Sequence, residues 1–306
     1  MGKYIIKRLG ISLATILVLV TVVFILVRLM PGDPFTSDKM TPEIKANLEK
    51  YYGFDKPLIE QYFTYLKNLL KGDLGYSMKY KNQTVNKIIE DSFPFSFDLG
   101  IRSLVFGISF GLVFGITAAL NRGKKLDFIS IVIAIIGTSV PDFIMGALLQ
   151  YFFGIKWGLF PVAQYLGFRH TILPAIAVGF YTLAQVSRLM RASMLEVVQQ
   201  DYIKTAKSKG ISSFRVTYKH QIRNAIMPVV TVLGPTVAAV LTGTFVIESI
   251  FAIPGMGKFY VQSVQNLDYS IVLGMTVFYG AFLVIANMIV DILYGLIDPR
   301  IRIAGK

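Results

Sequence analysis

Residues 201–228 read DYIKTAKSKGISSFRVTYKHQIRNAIMP, a basic segment with one internal glycine that lies between long hydrophobic runs. Asp201 can cap the amino end of a first short helix, and Gly210 can supply the left-handed residue that ends it. Ser212 or Ser213 can then cap a second helix. The apolar residues of that helix fall at the spacing of one helical face: Tyr218, Ile222, Ala225 and Ile226. The segment therefore predicts a helix-glycine-helix element that presents a docking surface to a soluble partner.

The positive charge of this segment is a less specific sign of a docking element than its helix-glycine-helix arrangement. Six basic residues supply it: Lys204, Lys207, Lys209, Arg215, Lys219 and Arg223. A solvated cytoplasmic loop of a membrane protein explains such charge, because these loops are enriched in Lys and Arg. It does not explain two short helices around one glycine. Thr205 and Ala206 also keep the first helix slim enough to enter a groove.

The composition predicts an all-α integral membrane protein, since 54% of the 306 residues are hydrophobic and 16% are charged. Six nearly uncharged segments reach or approach the roughly 20 residues that a helix needs to cross a bilayer. They are Leu9–Val27, Ser103–Asn121, Phe128–Ile155, Thr171–Ser187, Asn224–Ile247 and Tyr269–Val290. The first is interpreted as a retained span, because its apolar run exceeds the roughly 7 to 15 residues of a signal peptide.

Lysine and arginine counts in the short loops set the orientation. With the amino terminus inside, the basic residues concentrate in the cytoplasmic loops, and an even number of spans brings both termini to that side. The net charge of +13 then reflects membrane topology rather than nucleic-acid binding. The predicted domains are an N-terminal span (1–30), an extracytoplasmic segment (31–94), a main transmembrane domain (95–295, with a basic loop at 188–224) and a cytoplasmic tail (296–306).

The extracytoplasmic segment is predicted to form two amphipathic helices that lie on the outer membrane surface or on the helix bundle. The first begins at Thr41 and Pro42 and stops at Gly53; its apolar face carries Ile44, Leu48 and Tyr51. The second runs from near Pro57 to near Gly72, with an apolar face of Leu58, Tyr62, Tyr65, Leu66 and Leu69. Reception of a substrate-delivery protein and a purely structural cap remain alternative roles.

The second span carries a small residue at every fourth position: Ser103, Gly107, Gly111, Gly115 and Ala119. Such a stripe lets another helix approach closely, so that van der Waals contacts hold helices together in lipid. It predicts helix packing, either within this subunit or against a partner.

Asp142 is an ionisable residue near the middle of the third hydrophobic segment, where a charge costs on the order of 2.5 to 3.5 kcal/mol on insertion scales. Pro141 removes a backbone N–H and kinks a helix at this point. Ser139, Pro141 and Asp142 are therefore candidates for lining a pathway or gate. The alternative is a broken span that leaves Asp142 in water near one face. Four further ionisable residues lie at span ends, where pairing or snorkelling is expected: Asp98, Arg102, Glu248 and Asp291.

No catalytic or metal site is predicted. The chain has no cysteine, and its two histidines, His170 and His220, fall on opposite predicted sides of the membrane. The glycine-lysine stretch from Gly255 to Phe259 lacks the spacing and the terminal hydroxyl of a phosphate-binding loop. The chain is therefore not expected to hydrolyse nucleotide by itself.

The motifs together resemble one family. YIKTAKSKG (Tyr202–Gly210) with RNAIMP (Arg223–Pro228) resembles the EAA loop of bacterial ABC importer permeases, in the version of the peptide and nickel branch. The likeness extends over essentially the whole chain, through MPGDPF (30–35), YGFDKPLIEQYFTYLKNLLKGDLGYS (52–77), SFP (92–94), IPGMG (253–257), DYS (268–270) and IDPRIR (297–302). PFT (34–36) and KYKNQTVN (79–86) make it most similar to the first permease subunit of oligopeptide importers.

The resemblance implies the six-helix type I importer permease fold in a bacterial plasma membrane. It implies a second, similar permease, two cytoplasmic ATPase subunits that hold ATP and Mg, and an extracytoplasmic binding protein. This chain itself is then expected to bind no cofactor and to be no enzyme. Its contacts would be these subunits and membrane lipid, without nucleic acid.

The resemblance also assigns the docking helix. Lys204, Thr205, Ala206 and Gly210 occupy the E-A-A-x-x-x-G positions, and Lys204 and Thr205 depart from the generic Glu and Ala, as peptide-branch relatives commonly do. The expected ATPase-docking residues are Asp201, Tyr202, Lys204, Thr205, Ala206, Lys207 and Gly210. Asp142 stands where relatives often have a neutral polar residue.

The implied function is ATP-driven uptake of oligopeptides. Dipeptides, nickel chelates and glutathione are alternative substrates of the same machinery. An ion-driven secondary transporter is the alternative from another class, and it would show inverted repeats and several buried carboxylates.

Overall fold

A computed structural model describes residues 2–29, 41–42, 46, 51, 53, 56–79, 83–241 and 243–297. These residues form helices and turns without a β-strand, apart from one isolated bridge between Tyr76 and Thr84, which agrees with the predicted all-α class. In chain order the helices are α1 (Gly2–Leu29), α2 (Leu58–Leu70), α3 (Val85–Leu120), α4 (Lys125–Ser139), α5 (Asp142–Lys156), α6 (Phe168–Val198), α7 (Asp201–Ser208), α8 (Ser213–Leu241), α9 (Phe245–Ile250), α10 (Met256–Gln265) and α11 (Tyr269–Ile297).

Within the described part of the chain, five helices are long and apolar enough to cross a membrane: α1, α3, α6, α8 and α11. α4 and α5 meet at an angle of 111° and raise the number of spans to six if the bent pair counts as one. The predicted third span is therefore broken at this point rather than kinked. Val140 is extended at the break, because the residue before a proline is disfavoured in the α conformation.

Two helices differ in extent from the predicted spans. α3 begins at Val85, not near Ser103, so residue 94, the predicted end of the extracytoplasmic segment, lies inside this helix. The first half of α3 carries charged residues, so an uncharged run marks only its second half. α8 ends at Leu241, not at Ile247, because Gly243 adopts a φ of 93° that interrupts the helix.

The chain divides into two compact units, residues 1–97 with 254–306, and residues 98–253. This division differs from the predicted domain boundaries, because the first unit joins both ends of the chain. α3 runs from the first unit into the second.

In the first unit, α2 packs onto an aromatic cluster. Tyr65 is fully buried, its ring lies 5.7 Å from that of Phe24, and Tyr51 packs edge-on at 6.4 Å. The Thr21 and Tyr62 hydroxyls hydrogen-bond at 2.6 Å. Leu58, predicted on the buried face, is 62% exposed.

The glycines predicted to end the two external helices have left-handed backbones. The φ angle is 62° at Gly53 and 77° at Gly72. Tyr51, predicted on the apolar face of the first helix, is buried. Ile44 and Leu48 from the same predicted face lie outside the described residues. Residues 298–306 of the predicted tail also lie outside them.

Two carboxylates secure the last span within the first unit. Asp291 forms an ion pair with Arg8 at 2.6 Å, which confirms the pairing expected for Asp291. Asp268 is buried at the amino end of α11, where it accepts the Ser77 hydroxyl at 2.5 Å and the backbone N–H groups of Met78 at 3.1 Å and Ile271 at 3.3 Å. The Asp268 carboxylate thus caps α11 and fastens the segment that follows α2 to it.

In the second unit, the small-residue stripe of α3 lies against α6. A methyl group built on Gly107 would lie 2.6 Å from the Gly179 carbonyl oxygen. Equivalent methyl groups on Gly111 and Gly115 would lie 2.7 Å from the β-carbons of Val186 and Met190. The backbones of the two helices approach at distances that only glycine permits, so the stripe makes its close contacts within this chain.

Candidate functional site

α7 is a short helix with one face seated on the protein and the other exposed. Ile203 and Ala206 are buried against Val216, with Val197 and Ile211 packed around them. Every other residue of α7 is exposed. The predicted docking residues Asp201, Tyr202, Lys204, Thr205 and Lys207 therefore share the exposed surface, and Gly210 follows them. Ala206 lies on the seated face instead, because the spacing of three from Ile203 places both on one side of the helix.

The amino end of α7 differs from the prediction. Gln200 occupies the cap position with extended backbone, and Asp201 is the first helical residue. No side chain caps this end; Asp201 instead accepts a hydrogen bond from the Lys204 ammonium at 2.9 Å. A carboxylate in the first turn still interacts favourably with the helix dipole.

The carboxyl end of α7 has the predicted glycine geometry. Gly210 has a φ of 72°, its N–H donates to the Lys207 carbonyl at 2.9 Å, and the Ile211 N–H donates to the Ala206 carbonyl at 3.4 Å. These two bonds form a Schellman motif. A β-carbon on Gly210 would have no atom within 4 Å, so the backbone angle, not crowding, selects glycine.

α8 opens at Ser212, the cap position, and then carries a π-helical segment at Val216–Ile222. Its i to i+5 bonding shifts the buried face to Val216, Gln221, Ala225 and Val229. Tyr218, predicted on the apolar stripe, is 70% exposed. The stripe prediction is wrong at this residue, because it assumed the α-helical spacing throughout.

Tyr218 instead stacks on Phe214, with ring centroids 6.4 Å apart and planes 4° apart. Both rings are exposed beside α7. Sequence reasoning missed this aromatic pair as a surface feature, although the i, i+4 spacing of two rings was the available signal.

A second cluster links this surface to the spans. Met190 and Met194 of α6 are buried with Ala225 and Val229 of α8. Val197 packs against this cluster and also against the core beneath α7. The carboxyl end of α6, α7 and the start of α8 therefore form one packed assembly.

A partly buried ion pair lies near the same end of α6. Arg191 donates to both carboxylate oxygens of Asp127, at 2.6 and 2.9 Å, and the Gly123 N–H donates to one of them at 2.9 Å. The bidentate geometry fixes the start of α4 to α6. Sequence reasoning missed the pair, since the two residues are 64 positions apart and neither lies in a motif.

At the break between α4 and α5 the second unit contains a cavity of about 450 Å³. Ser139, Pro141 and Asp142, the candidate pathway residues, all line it. Residues of α6 and α8 complete its wall, among them Tyr181, Thr182 and Val240. Asp142 is exposed, and one of its carboxylate oxygens accepts the Phe143 N–H at 2.8 Å.

Asp98 and Arg102, predicted at the end of a span, lie inside α3. Arg102 pairs with Asp98 at 2.7 Å, and the Tyr165 hydroxyl also donates to Asp98. This confirms the expected pairing of Asp98 and Arg102. Glu248 is fully buried.

Known proteins of high similarity are transport permeases. The chain is 47% identical to the dipeptide transport system permease protein DppB of Bacillus subtilis, over the full length of both chains. It is 43% identical to the oligopeptide transport system permease protein OppB of Haemophilus influenzae and 37% identical to that of Salmonella typhimurium, each over 99% of this chain and 100% of the relative.

The fold also matches a solved structure, the crystal structure of an amino acid ABC transporter with histidines. The TM-score is 0.53 over 68% of this chain and 92% of the other, at 15% identity, which is a likeness of fold alone.

Two family models match successive parts of the chain. Residues 1–100 match the N-terminal part of the membrane component of binding-protein-dependent transport systems, and residues 111–303 match the inner membrane component itself. The chain therefore belongs to the family of inner membrane components of binding-protein-dependent transport systems, and it is a multi-pass membrane protein with the fold of an ABC transporter permease.

Proposed function

We propose that this chain is one of two permease subunits of an ABC importer that takes up peptides delivered by an extracytoplasmic binding protein. Two separate cytoplasmic ATPase subunits carry ATP and Mg, and one of them docks on α7 of this chain. This chain forms the membrane pathway together with the second permease and binds no cofactor itself.

The observation that carries this proposal is the seating of α7. Its Ile203 and Ala206 face is committed to the protein, and its outer face offers Tyr202, Thr205 and Lys207 to a partner. A helix fixed on one side and exposed on the other fits a groove as a rigid unit. The stacked rings of Phe214 and Tyr218 are a second exposed feature that follows α7 closely in the chain.

Movement of the docking surface has a physical route to the cavity. α7 follows α6 after Gln199 and Gln200, and Val197 packs both beneath α7 and against the cluster of α6 and α8. α6 and α8 also line the cavity at the α4–α5 break. A closing motion of two ATPases that displaces α7 therefore shifts helices that line the cavity, because packed interiors transmit displacement.

The proposed substrate is an oligopeptide. Relatives named for dipeptides and for oligopeptides both match the whole chain, so the dipeptide alternative has equal support. Dipeptide and oligopeptide share a charged amino end, a charged carboxyl end and amide groups, which a common pathway has to accommodate.

The proposed location is the bacterial plasma membrane, with both termini and α7 in the cytoplasm. The abundance of Lys and Arg around α7 supports this orientation, since short cytoplasmic loops carry an excess of basic residues.

Purification of the full-length chain from its own host membranes tests which subunits are bound to it. We expect a second permease and two ATPase subunits to co-purify. In proteoliposomes, with its binding protein, the complex should take up peptides only with ATP. Lys207→Glu in the exposed face of α7 should weaken ATPase retention, whereas Lys67→Glu, at an exposed residue of α2, should not. Uptake that follows an ion gradient without ATPase subunits would support the secondary transporter instead.

A further inference from the structure

We propose that the cavity at the α4–α5 break is a transit subsite for the protonated amino terminus of the peptide, with Asp142 as its counter-ion. The proposal rests on the proposed function, since it names the chemical group that the pathway of a peptide importer recognises.

The charge of the cavity points to a cation. Asp142 is the sole charged residue among the described residues that line it. No described basic side chain pairs with Asp142, and only one of its oxygens accepts a hydrogen bond, from the Phe143 N–H. The second oxygen is available to a ligand. A carboxylate without a paired cation attracts an arriving ammonium group by Coulomb interaction.

Two hydroxyl groups in the same wall are buried without a partner. Thr182 is only 1% exposed, and no described group hydrogen-bonds to its hydroxyl oxygen. The Thr244 hydroxyl oxygen is likewise buried and unbonded. A buried polar atom without a hydrogen bond costs free energy, so each hydroxyl favours a ligand group that can hydrogen-bond to it. A peptide ammonium has three N–H donors, enough for Asp142 and one or both hydroxyls.

The size of the cavity also fits part of a peptide. Its volume of about 450 Å³ lies in the range of ligand pockets. Apolar walls from Met145, Ala177 and Val178 face the polar groups. Such walls accommodate side chains of varied sequence, while the amino terminus common to all unblocked peptides provides the fixed contact.

The rival ligand group is the carboxyl end of the peptide, attracted by the amino end of α5. The Asp142 carboxylate already accepts the first N–H of that helix and repels a second carboxylate. The geometry therefore favours the ammonium.

Asp142→Asn in the complete transporter tests the subsite, because Asn keeps the acceptor for the Phe143 N–H and removes the charge. Three forms of one peptide are compared in proteoliposomes at saturating binding protein: free, N-acetylated and C-amidated, chosen so that wild type transports all three. We expect the KM of uptake for the free and C-amidated peptides to be at least about tenfold higher in Asp142→Asn than in wild type, because the variant loses a hydrogen bond to a charged group. The N-acetylated form should be unaffected. Glu90→Gln, an exposed residue that loses the same charge, should change none of them.

An equal effect on all three forms, or on the C-amidated form alone, would overturn the proposal. If Asp142→Asn does not assemble, Ser139→Cys in the otherwise cysteine-free chain provides a second test of the subsite. Free peptide should slow maleimide labelling of this cysteine, and N-acetylated peptide should not. Equal labelling in both cases would also overturn the subsite. Absence of peptide uptake by the wild-type complex would instead refute the proposed function.

Discussion

Gly210 shows how one residue sets the position of a docking element. Its φ of 72° closes the Schellman motif, so the chain turns sharply after α7 and Val216 reaches the core beneath that helix. An L-residue in this conformation costs about 1 to 2 kcal/mol, and β-branching adds to the strain.

We therefore expect Gly210→Val to lower peptide uptake per ATP hydrolysed while ATPase activity continues, because α7 no longer sits in a fixed place. The ratio of uptake to ATPase activity in proteoliposomes measures this coupling. Gly210→Asn is the matched control, since asparagine tolerates the left-handed conformation. Normal coupling in the valine variant would contradict the role given to this turn.

Asp127 and Arg191 make a second prediction at the residue scale. The pair is bidentate, and the Asp127 side chain is only 5% exposed. We expect a double-mutant cycle of alanine substitutions to give a coupling of about 1 to 3 kcal/mol in the free energy of unfolding. The measurement is unfolding in mixed micelles.

The pair of Asp201 and Lys204 is the control for that cycle. Both side chains are largely exposed, and their 2.9 Å contact spans one helical turn. Exposed pairs of this kind contribute about 0.2 to 1 kcal/mol. Equal coupling in the two cycles would show that burial of Asp127 and Arg191 adds nothing.

At the scale of elements, the packing of α3 on α6 depends on glycine. Gly107→Ala places a methyl group 2.6 Å from the Gly179 carbonyl oxygen, so the helices have to separate. We expect a loss of about 1 to 3 kcal/mol, as other overpacking substitutions give, and a lower Tm in detergent.

Gly10→Ala in α1 is the matched control, because no atom lies within 4 Å of the added methyl group. Alanine also stabilises a helix relative to glycine by about 0.5 to 1 kcal/mol. Its Tm should be equal to or above that of the wild type. Equal Tm values for both variants would mean that α3 and α6 do not make this close approach.

At the scale of the whole molecule, orientation in the membrane is open to a direct test. The chain has no cysteine, so a single introduced cysteine carries any label. We expect Lys124→Cys, in the loop between α3 and α4, to react with an impermeant maleimide only from the cytoplasm, and Leu166→Cys, before α6, only from outside. The unsubstituted chain gives the background, and labelling of both cysteines from one side would refute the predicted topology.

Many features of this fold can be predicted from the sequence, because they depend on residues that are close together in the chain. A nearly uncharged run of about 20 residues has to satisfy its backbone hydrogen bonds as a helix in lipid, so the helical class of the spans can be predicted from the chain. Gly210 is predictable for a similar reason, since a helix end in the left-handed conformation favours glycine whatever surrounds it.

Contacts between distant residues were decided only by tertiary structure. Arg191 meets Asp127, and Ser139, Thr182 and Thr244 come to one cavity, because separate helices pack side by side. The π-helical segment that exposes Tyr218, the start of α3 at Val85 and the seating of Ala206 also follow from packing. Sequence by itself determined the helical class of the spans and the carboxyl end of the docking helix, since those depend on residues near in the chain. The tertiary structure decided which faces are buried and which polar groups meet, since that depends on residues that are distant in the chain.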